Sequence, residues 1–174
     1  APARRNVTVI VENGRIAQVG RSVRIPSGMT IIEGRGRTLT PGFVMVHEHL
    51  FYPDGAGNFF GAPEAFSRLY LASGEPTIRT AGSIAPYADL RVARAIASGA
   101  QIGPDIDVSG PYLDGEPRAL ARMPRIETPE DAAATVDYWV SQGATSFKVY
   151  EHTSRAQLAA TIAPVVARRR PSGP

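Results

Sequence analysis

The chain has 174 residues, of which 43% are hydrophobic and 20% are charged, as is typical of a globular protein and not of a disordered one. It contains no apolar run of about 18 residues, so no transmembrane helix is predicted, and without cysteine it forms no disulfide or thiolate metal site. The cysteine-free composition suits the cytoplasm. The net charge of +3 is modest; a pI near 9.6 could suit a nucleic-acid-binding domain, but the arginines are scattered, and we expect no nucleic-acid or membrane partner.

Residues 6–40 predict short strands joined by turns. Apolar residues alternate at Val7, Val9 and Val11, an Asn-Gly pair typical of tight hairpins follows, and the chain then returns as a second strand. The segment MTIIEGRGRTLTPG, residues 29–42, repeats this strand-and-turn pattern. The sequence therefore predicts a small β-region that closes at its Pro-Gly pair.

From residue 43 onward, short apolar strands alternate with helical segments. The predicted strands span 43–48, 77–82, 105–111 and 145–150, and the predicted helices span 63–73, 87–98, 129–142 and 154–167. The third helix has the strongest end signals, with Thr128 as N-cap, Pro129 in the first turn and Gly143 after its last residue. This alternation predicts βαβ units and a parallel sheet, with long loops at 53–63 and 111–124 that could carry function.

Two of the three histidines, His47 and His49, end the first of these strands. Residues two apart on a strand point to the same face, so the two imidazoles project together while Glu48 points to the opposite face. Two imidazoles placed this way can bind one divalent cation. Taken alone the pattern is a weak signal for a metal, because histidine has many structural uses and these could be two polar residues that end an ordinary strand.

Lys148 is the one lysine of a chain that has eighteen arginines. A GC-rich gene that left one lysine by chance explains this bias, and so does a position that requires an amine. Arginine cannot replace an amine that must lose its charge, because its guanidinium is always protonated.

The segment GRGRTLTPGFVMVHEHL resembles the signature of the amidohydrolase superfamily, in which a β-sandwich strand leads through Pro-Gly into His-x-His on the first barrel strand. Three further segments, TIRTAGS, GPDIDVSGPYL and GATSFKVYEH, resemble the next three strands of its imidazolonepropionase/prolidase-like branch. The resemblance implies an α/β fold. Residues 43–174 would form a partial (β/α)8 TIM barrel of about four βα units, preceded at 1–42 by part of a small β-sandwich.

In that family the fourth strand ends with a lysine whose amine has reacted with carbon dioxide to form a carbamate that bridges two metal ions. Lys148 falls at this place, so the resemblance implies that His47 and His49 hold one metal and Lys148 bridges to a second. Zinc is the default ion, although manganese, iron or cobalt also suit such ligands. The implied reaction is hydrolysis of a C–N bond in a small amide, peptide-like or cyclic amide substrate by metal-activated water.

The chain departs from the family after Lys148. The family takes two further histidines from strands five and six and an aspartate from strand eight. Here His152 is the one histidine that follows, and we interpret it as a loop or helix-start residue. We therefore expect the N-terminal half of a family member, either an active hydrolase or an inactive fragment that serves as a homo-oligomeric interaction module. Tyr112 and Tyr150 could line a pocket, but core packing is their expected role.

Overall fold

A computed structural model describes residues 3–119 and 122–169, with side chains up to residue 163. It divides into two units, Ala1–Thr40 and Pro41–Pro174. Within the described residues, no helix is long and apolar enough to cross a membrane.

The first unit contains one β-hairpin, formed by β1 (Thr8–Glu12) and β2 (Arg15–Gly20) in antiparallel pairing. Asn13 and Gly14 join the strands with φ of 51° and 72°, as a primed two-residue turn requires, so the predicted hairpin is confirmed. The second strand-and-turn prediction is wrong in part, because residues 29–42 form a turn at Gly34–Arg37 but no strand. Ile31 and Ile32 are 70% and 90% exposed, so the apolar pair that suggested a strand buries almost nothing.

The second unit alternates strands with helices, as the sequence predicts. Its elements in chain order are β3 (Val44–Glu48), β4 (Phe51–Pro53), β5 (Phe59–Gly61), α1 (Pro63–Ala72), β6 (Thr77–Thr80), α2 (Pro86–Ala97), β7 (Asp105–Asp107), β8 (Ser109–Leu113), α3 (Pro129–Gln142), β9 (Ser146–Val149) and α4 (Arg155–Arg169). Two details differ from the prediction. The third strand is divided at Val108 into β7 and β8, and an antiparallel hairpin, β4–β5, extends from before the first predicted loop into it.

Apart from the β4–β5 hairpin, the strands of this unit run parallel and neighbour each other in chain order. β3 pairs with β6 and β6 with β7, while β8 pairs with β9, and a bridge between Ser83 and Pro111 links the two groups. On one face, Ile78 of β6 is fully buried, as is Val92 of α2. Neighbouring Arg79 has a 38% exposed side chain, so the other face of this sheet is open. The result is a mixed α/β fold with one helix-covered face.

The α3 helix shows how local sequence sets these boundaries. The Thr128 hydroxyl accepts a hydrogen bond from the Asp131 backbone N–H, and the Asp131 carboxylate accepts one from the Thr128 N–H. Gly143 ends the helix in the left-handed region, with φ of 109°. The buried side of α3, Ala132 and Val136, then packs with Leu113 of β8 in one hydrophobic cluster.

Candidate functional site

The first candidate ligands lie where β3 meets β6 with an irregular register. Met45 pairs with Ile78 and Glu48 with Thr80, so β3 contributes one residue more than β6 between these pairs. Paired residues share a face, which directs Glu48 towards the side of buried Thr80. Its carboxylate accepts a hydrogen bond of 3.3 Å from the Tyr52 hydroxyl.

His47 and His49 lie beside each other at this strand end. Their ring centroids are 5.5 Å apart and the ring planes are nearly perpendicular. His47 is exposed and His49 is half-buried. The Tyr70 hydroxyl of α1 donates a 2.9 Å hydrogen bond to the His49 carbonyl and so helps to fix the backbone at His49.

Burial and neighbouring charge lower the pKa of the His49 imidazole and so favour its neutral form. Burial is the largest cause that lowers its pKa, and electrostatic interaction with Lys148 and His47 lowers it further, against the hydrogen bond with the Gly82 carbonyl and the nearby Glu48 carboxylate, which raise it. The ring atom Nδ1 lies 3.3 Å from that carbonyl oxygen and 3.3 Å from the Tyr112 hydroxyl. A neutral imidazole keeps one lone pair, which is the form that binds a metal ion.

Lys148 approaches the same aromatic group from β9. It pairs in register with Tyr112 of β8, and its Nζ lies 5.5 Å from the Tyr112 ring centroid and 5.4 Å from that of Tyr150. Tyr112 is 3% exposed and packs with Phe51 and Met123, as the expected core role requires. Tyr112 therefore contacts His49 through its hydroxyl and Lys148 through its ring.

A guanidinium on the open face connects the strands that carry these residues. Arg79 of β6 donates to the Val46 carbonyl at 3.4 Å, one residue before His47. It also donates from Nε to the Ser146 hydroxyl at 3.2 Å, two residues before Lys148. Two parallel strands of the candidate site are thus linked by one side chain.

The fit to a metal ion rests on these residues together. The described ranges 3–119 and 122–169 contain no group of three or more histidine, cysteine, aspartate or glutamate side chains arranged to hold a metal. His47 and His49 could supply two ligands, so the predicted metal site depends on Lys148 as a third. Two imidazoles and a lysine that can become a carbamate suit a divalent ion.

His152 lies outside this group, in the turn between β9 and α4 where the sequence predicts a loop. Fully buried Asp114, which follows β8, accepts hydrogen bonds from the His152 backbone N–H at 3.1 Å and from the Ala119 N–H at 3.0 Å. The His152 Nδ1 atom lies 3.4 Å from the same carboxylate. Sequence reasoning missed Asp114, although an Asp-Gly pair directly after an apolar strand could have indicated a structured turn.

A second buried carboxylate, Asp89 in the first turn of α2, also escaped the sequence analysis. It is 3% exposed and accepts a 2.6 Å hydrogen bond from the Ser83 hydroxyl. Burial raises its pKa from 3.8 to about 6, against the opposing effect of that hydrogen bond. The folded chain therefore binds the Asp89 proton more tightly than the unfolded chain does.

This difference makes a pH-dependent contribution to stability. Because the folded pKa is the higher one, Asp89 destabilises the fold progressively as pH rises from about 4 to about 6. We expect Asp89→Asn to gain about 2 kcal/mol relative to wild type on going from pH 4.5 to pH 7.5, measured by urea unfolding. Asp54→Asn is the control. Hydrogen bonds from Ala56 and Asn58 lower the Asp54 pKa from its usual 3.8, so Asp54 titrates below this pH range and its variant should differ from wild type by nearly the same amount at both pH values. Equal differences at the two pH values for Asp89→Asn would contradict the assignment.

Comparison with known proteins finds relatives that match part of the chain in sequence and solved structures that match its fold. No protein-family model matches the chain. It is 36% identical over 87 residues to an imidazolonepropionase from Mycolicibacterium smegmatis, covering 50% of this chain and 22% of that protein. It is 45% identical over 47 residues to a dihydroorotase from Mycobacterium tuberculosis, covering 27% of this chain and 11% of that protein.

Solved structures match over nearly the whole chain. The crystal structure of a putative prolidase from Bifidobacterium longum matches with a TM-score of 0.77 and 28% identity, over 95% of this chain and 43% of that one. An amidohydrolase crystal structure matches with a TM-score of 0.75 and 20% identity, over 94% of this chain and 50% of that one. The chain thus spans half or less of the length of these relatives. These similarities support the amidohydrolase superfamily for this chain, and its partial coverage of the relatives fits the N-terminal half of such a protein.

Proposed function

We propose that this chain is the first half of a metal-dependent amidohydrolase that cleaves a C–N bond in a small amide, peptide-like or cyclic amide compound. In this proposal residues 43–174 form about four βα units of a (β/α)8 barrel, and residues 1–42 form part of a small β-sandwich. The observation that carries it is the convergence on Tyr112 of His49, after the first parallel strand, and Lys148, on the fourth.

Each candidate residue has a distinct part in this proposal. His47 and His49 would hold one divalent ion, zinc by default, and Lys148, carboxylated on Nζ, would bridge to a second. The carbamate requires an uncharged amine, which lysine can supply and arginine cannot. When bound, the metal supplies Lewis-acid activation of a carbonyl and of water.

The position of these residues within the strands supports a hydrolytic site. In (β/α)8 barrel enzymes, side chains that do chemistry come from the carboxyl-terminal ends of several strands. His49 directly follows β3, and Lys148 is the last residue but one of β9. Both side chains contact Tyr112, and their half-burial limits the water around them.

A second candidate is an interaction module without catalysis, assembled as a dimer. Its support is the exposure of apolar side chains at the start of the first parallel strand, where Phe43, Val44 and Val46 are 67%, 64% and 63% exposed. Covering such side chains is favourable. Dimerisation without metal, measured by sedimentation and combined with no metal binding, would favour this candidate over the hydrolase.

Metal binding tests the proposed function first. We expect the purified chain to bind zinc, and Lys148→Arg to weaken that binding by at least about 100-fold, because it keeps the charge but removes the amine. His152→Ala is the matched control. It removes the third histidine, which Asp114 holds outside the site, and should leave the zinc-to-protein ratio unchanged.

Carbon-13 bicarbonate distinguishes the carbamate from a simple amine ligand. A carbamate carbon resonance should appear in the zinc-loaded wild-type chain and be missing in Lys148→Arg. Zinc retained equally by wild type and Lys148→Arg would contradict the role of Lys148, and no zinc in wild type would contradict metal dependence of this chain.

A further inference from the structure

We infer that the Gly82 carbonyl and the Tyr112 hydroxyl together hold His49 in one tautomer, with the hydrogen on Nδ1 and the lone pair of Nε2 left for a metal ion. Gly82 and Tyr112 are then positioning residues of the candidate site. The inference deepens the proposed function and rests on it for the identity of the group that Nε2 meets.

The Gly82 carbonyl decides where the hydrogen lies. A carbonyl oxygen accepts hydrogen bonds and cannot donate them, so a bond between it and Nδ1 requires the hydrogen on Nδ1. A neutral imidazole carries one hydrogen, which leaves Nε2 of His49 with the lone pair. Metal-binding histidines commonly donate their second ring N–H to a backbone carbonyl in this way.

The Tyr112 hydroxyl completes the arrangement as a second acceptor. Its oxygen lies 3.3 Å from Nδ1, the same distance as the Gly82 oxygen. Both distances exceed the usual value of about 2.9–3.0 Å, as is expected when one hydrogen is shared between two acceptors. The hydroxyl can serve here because its own hydrogen is free to rotate away from the ring nitrogen.

Local packing makes glycine necessary at position 82. Its φ is +89°, in the left-handed region, and this conformation sets the direction of the carbonyl that follows. A Cβ atom there would lie 2.6 Å from Cδ1 and 2.8 Å from Cζ of the Tyr112 ring. Because Gly82 has no side chain, the Tyr112 ring can approach it closely, and the Gly82 carbonyl and the Tyr112 hydroxyl both reach Nδ1 of His49.

The tautomer can be read without any metal. At pH 8 an imidazole with an ordinary pKa of about 6.5 is neutral, and two-bond ¹H–¹⁵N spectra then distinguish a hydrogen on Nδ1 from one on Nε2. The chain has three histidines, so His49→Gln assigns the relevant signals. We expect the Nδ1–H form of His49 in the wild-type chain. An Nε2–H form would overturn the inference, whether or not the variants fold.

Tyr112→Phe tests the second acceptor, since it keeps the ring that packs with Phe51 and removes only the hydroxyl. We expect its His49 ¹⁵N shifts to move towards the average of the two tautomers, and its Co²⁺ affinity to fall about 10-fold. Tyr150→Phe is the control. It removes a hydroxyl from the neighbouring ring, leaves both Nδ1 contacts in place, and should keep the wild-type shifts.

The outcomes separate this inference from the proposed function. Unchanged His49 shifts in a folded Tyr112→Phe would overturn the role of Tyr112. If the wild-type chain shows the Nδ1–H form and binds no Co²⁺, the tautomer assignment is supported and the metal-dependent function fails. If it binds Co²⁺ and shows the Nε2–H form, the function is supported and the inference fails.

Discussion

Gly82→Ala is expected to lower the free energy of unfolding by about 3 kcal/mol, because it combines left-handed backbone strain with overpacking of a buried ring. Gly82 has a φ of +89°, where an L side chain is strained. Its new methyl group would also press into the Tyr112 ring, which is 3% exposed and has little room to move. Urea unfolding followed by circular dichroism measures the loss.

Gly74→Ala separates the two causes. Gly74 has nearly the same φ, +90°, but a Cβ there meets no atom within 4 Å among the residues that the structure describes. It should therefore lose only the backbone term, about 1–2 kcal/mol. The double variant Gly82→Ala/Tyr112→Ala should lose less than the sum of the two single changes. Equal losses for Gly82→Ala and Gly74→Ala would show that the close approach of Tyr112 is absent.

Asp114→Ala is expected to lower the free energy of unfolding by about 4 kcal/mol, since it leaves buried donors without their acceptor. The carboxylate is fully buried and accepts from the backbone N–H groups of Ala119 and His152 as well as from the imidazole. It therefore holds together the loops that follow β8 and β9. Thermal and urea unfolding give the free energy.

Two variants show that burial causes this effect. His152→Ala removes the imidazole and keeps both backbone hydrogen bonds, so it should cost about 1 kcal/mol. Asp54→Ala removes an exposed carboxylate that also accepts two backbone bonds, from Ala56 and Asn58, and it should lose far less than Asp114→Ala. A loss for Asp114→Ala no greater than that for His152→Ala would show that the backbone bonds contribute little.

The order of the elements could be predicted from the sequence because each element is marked by residues that lie close together in the chain. The Asn-Gly turn of the hairpin, the N-cap and C-terminal glycine of α3, and the four apolar strands all depend on residues close together in the chain. The strand prediction at 29–42 is wrong because apolar residues form a strand only where a partner accepts their backbone hydrogen bonds, and the exposed pair Ile31 and Ile32 has none of the burial that pairing brings.

The sequence by itself determined the alternation of strands and helices, the resemblance to the amidohydrolase superfamily, and the choice of His47, His49 and Lys148 as candidate ligands. The alternation of elements follows from local periodicity. The candidate ligands stand out because histidine and lysine are residue types that only a few kinds of chemistry require. Only the tertiary structure decided the extra residue in β3, the closeness of Gly82 and Tyr112 to His49, and the burial of Asp114. Each of these depends on which strands become neighbours and how closely they pack, and no signal within a few residues carries that information.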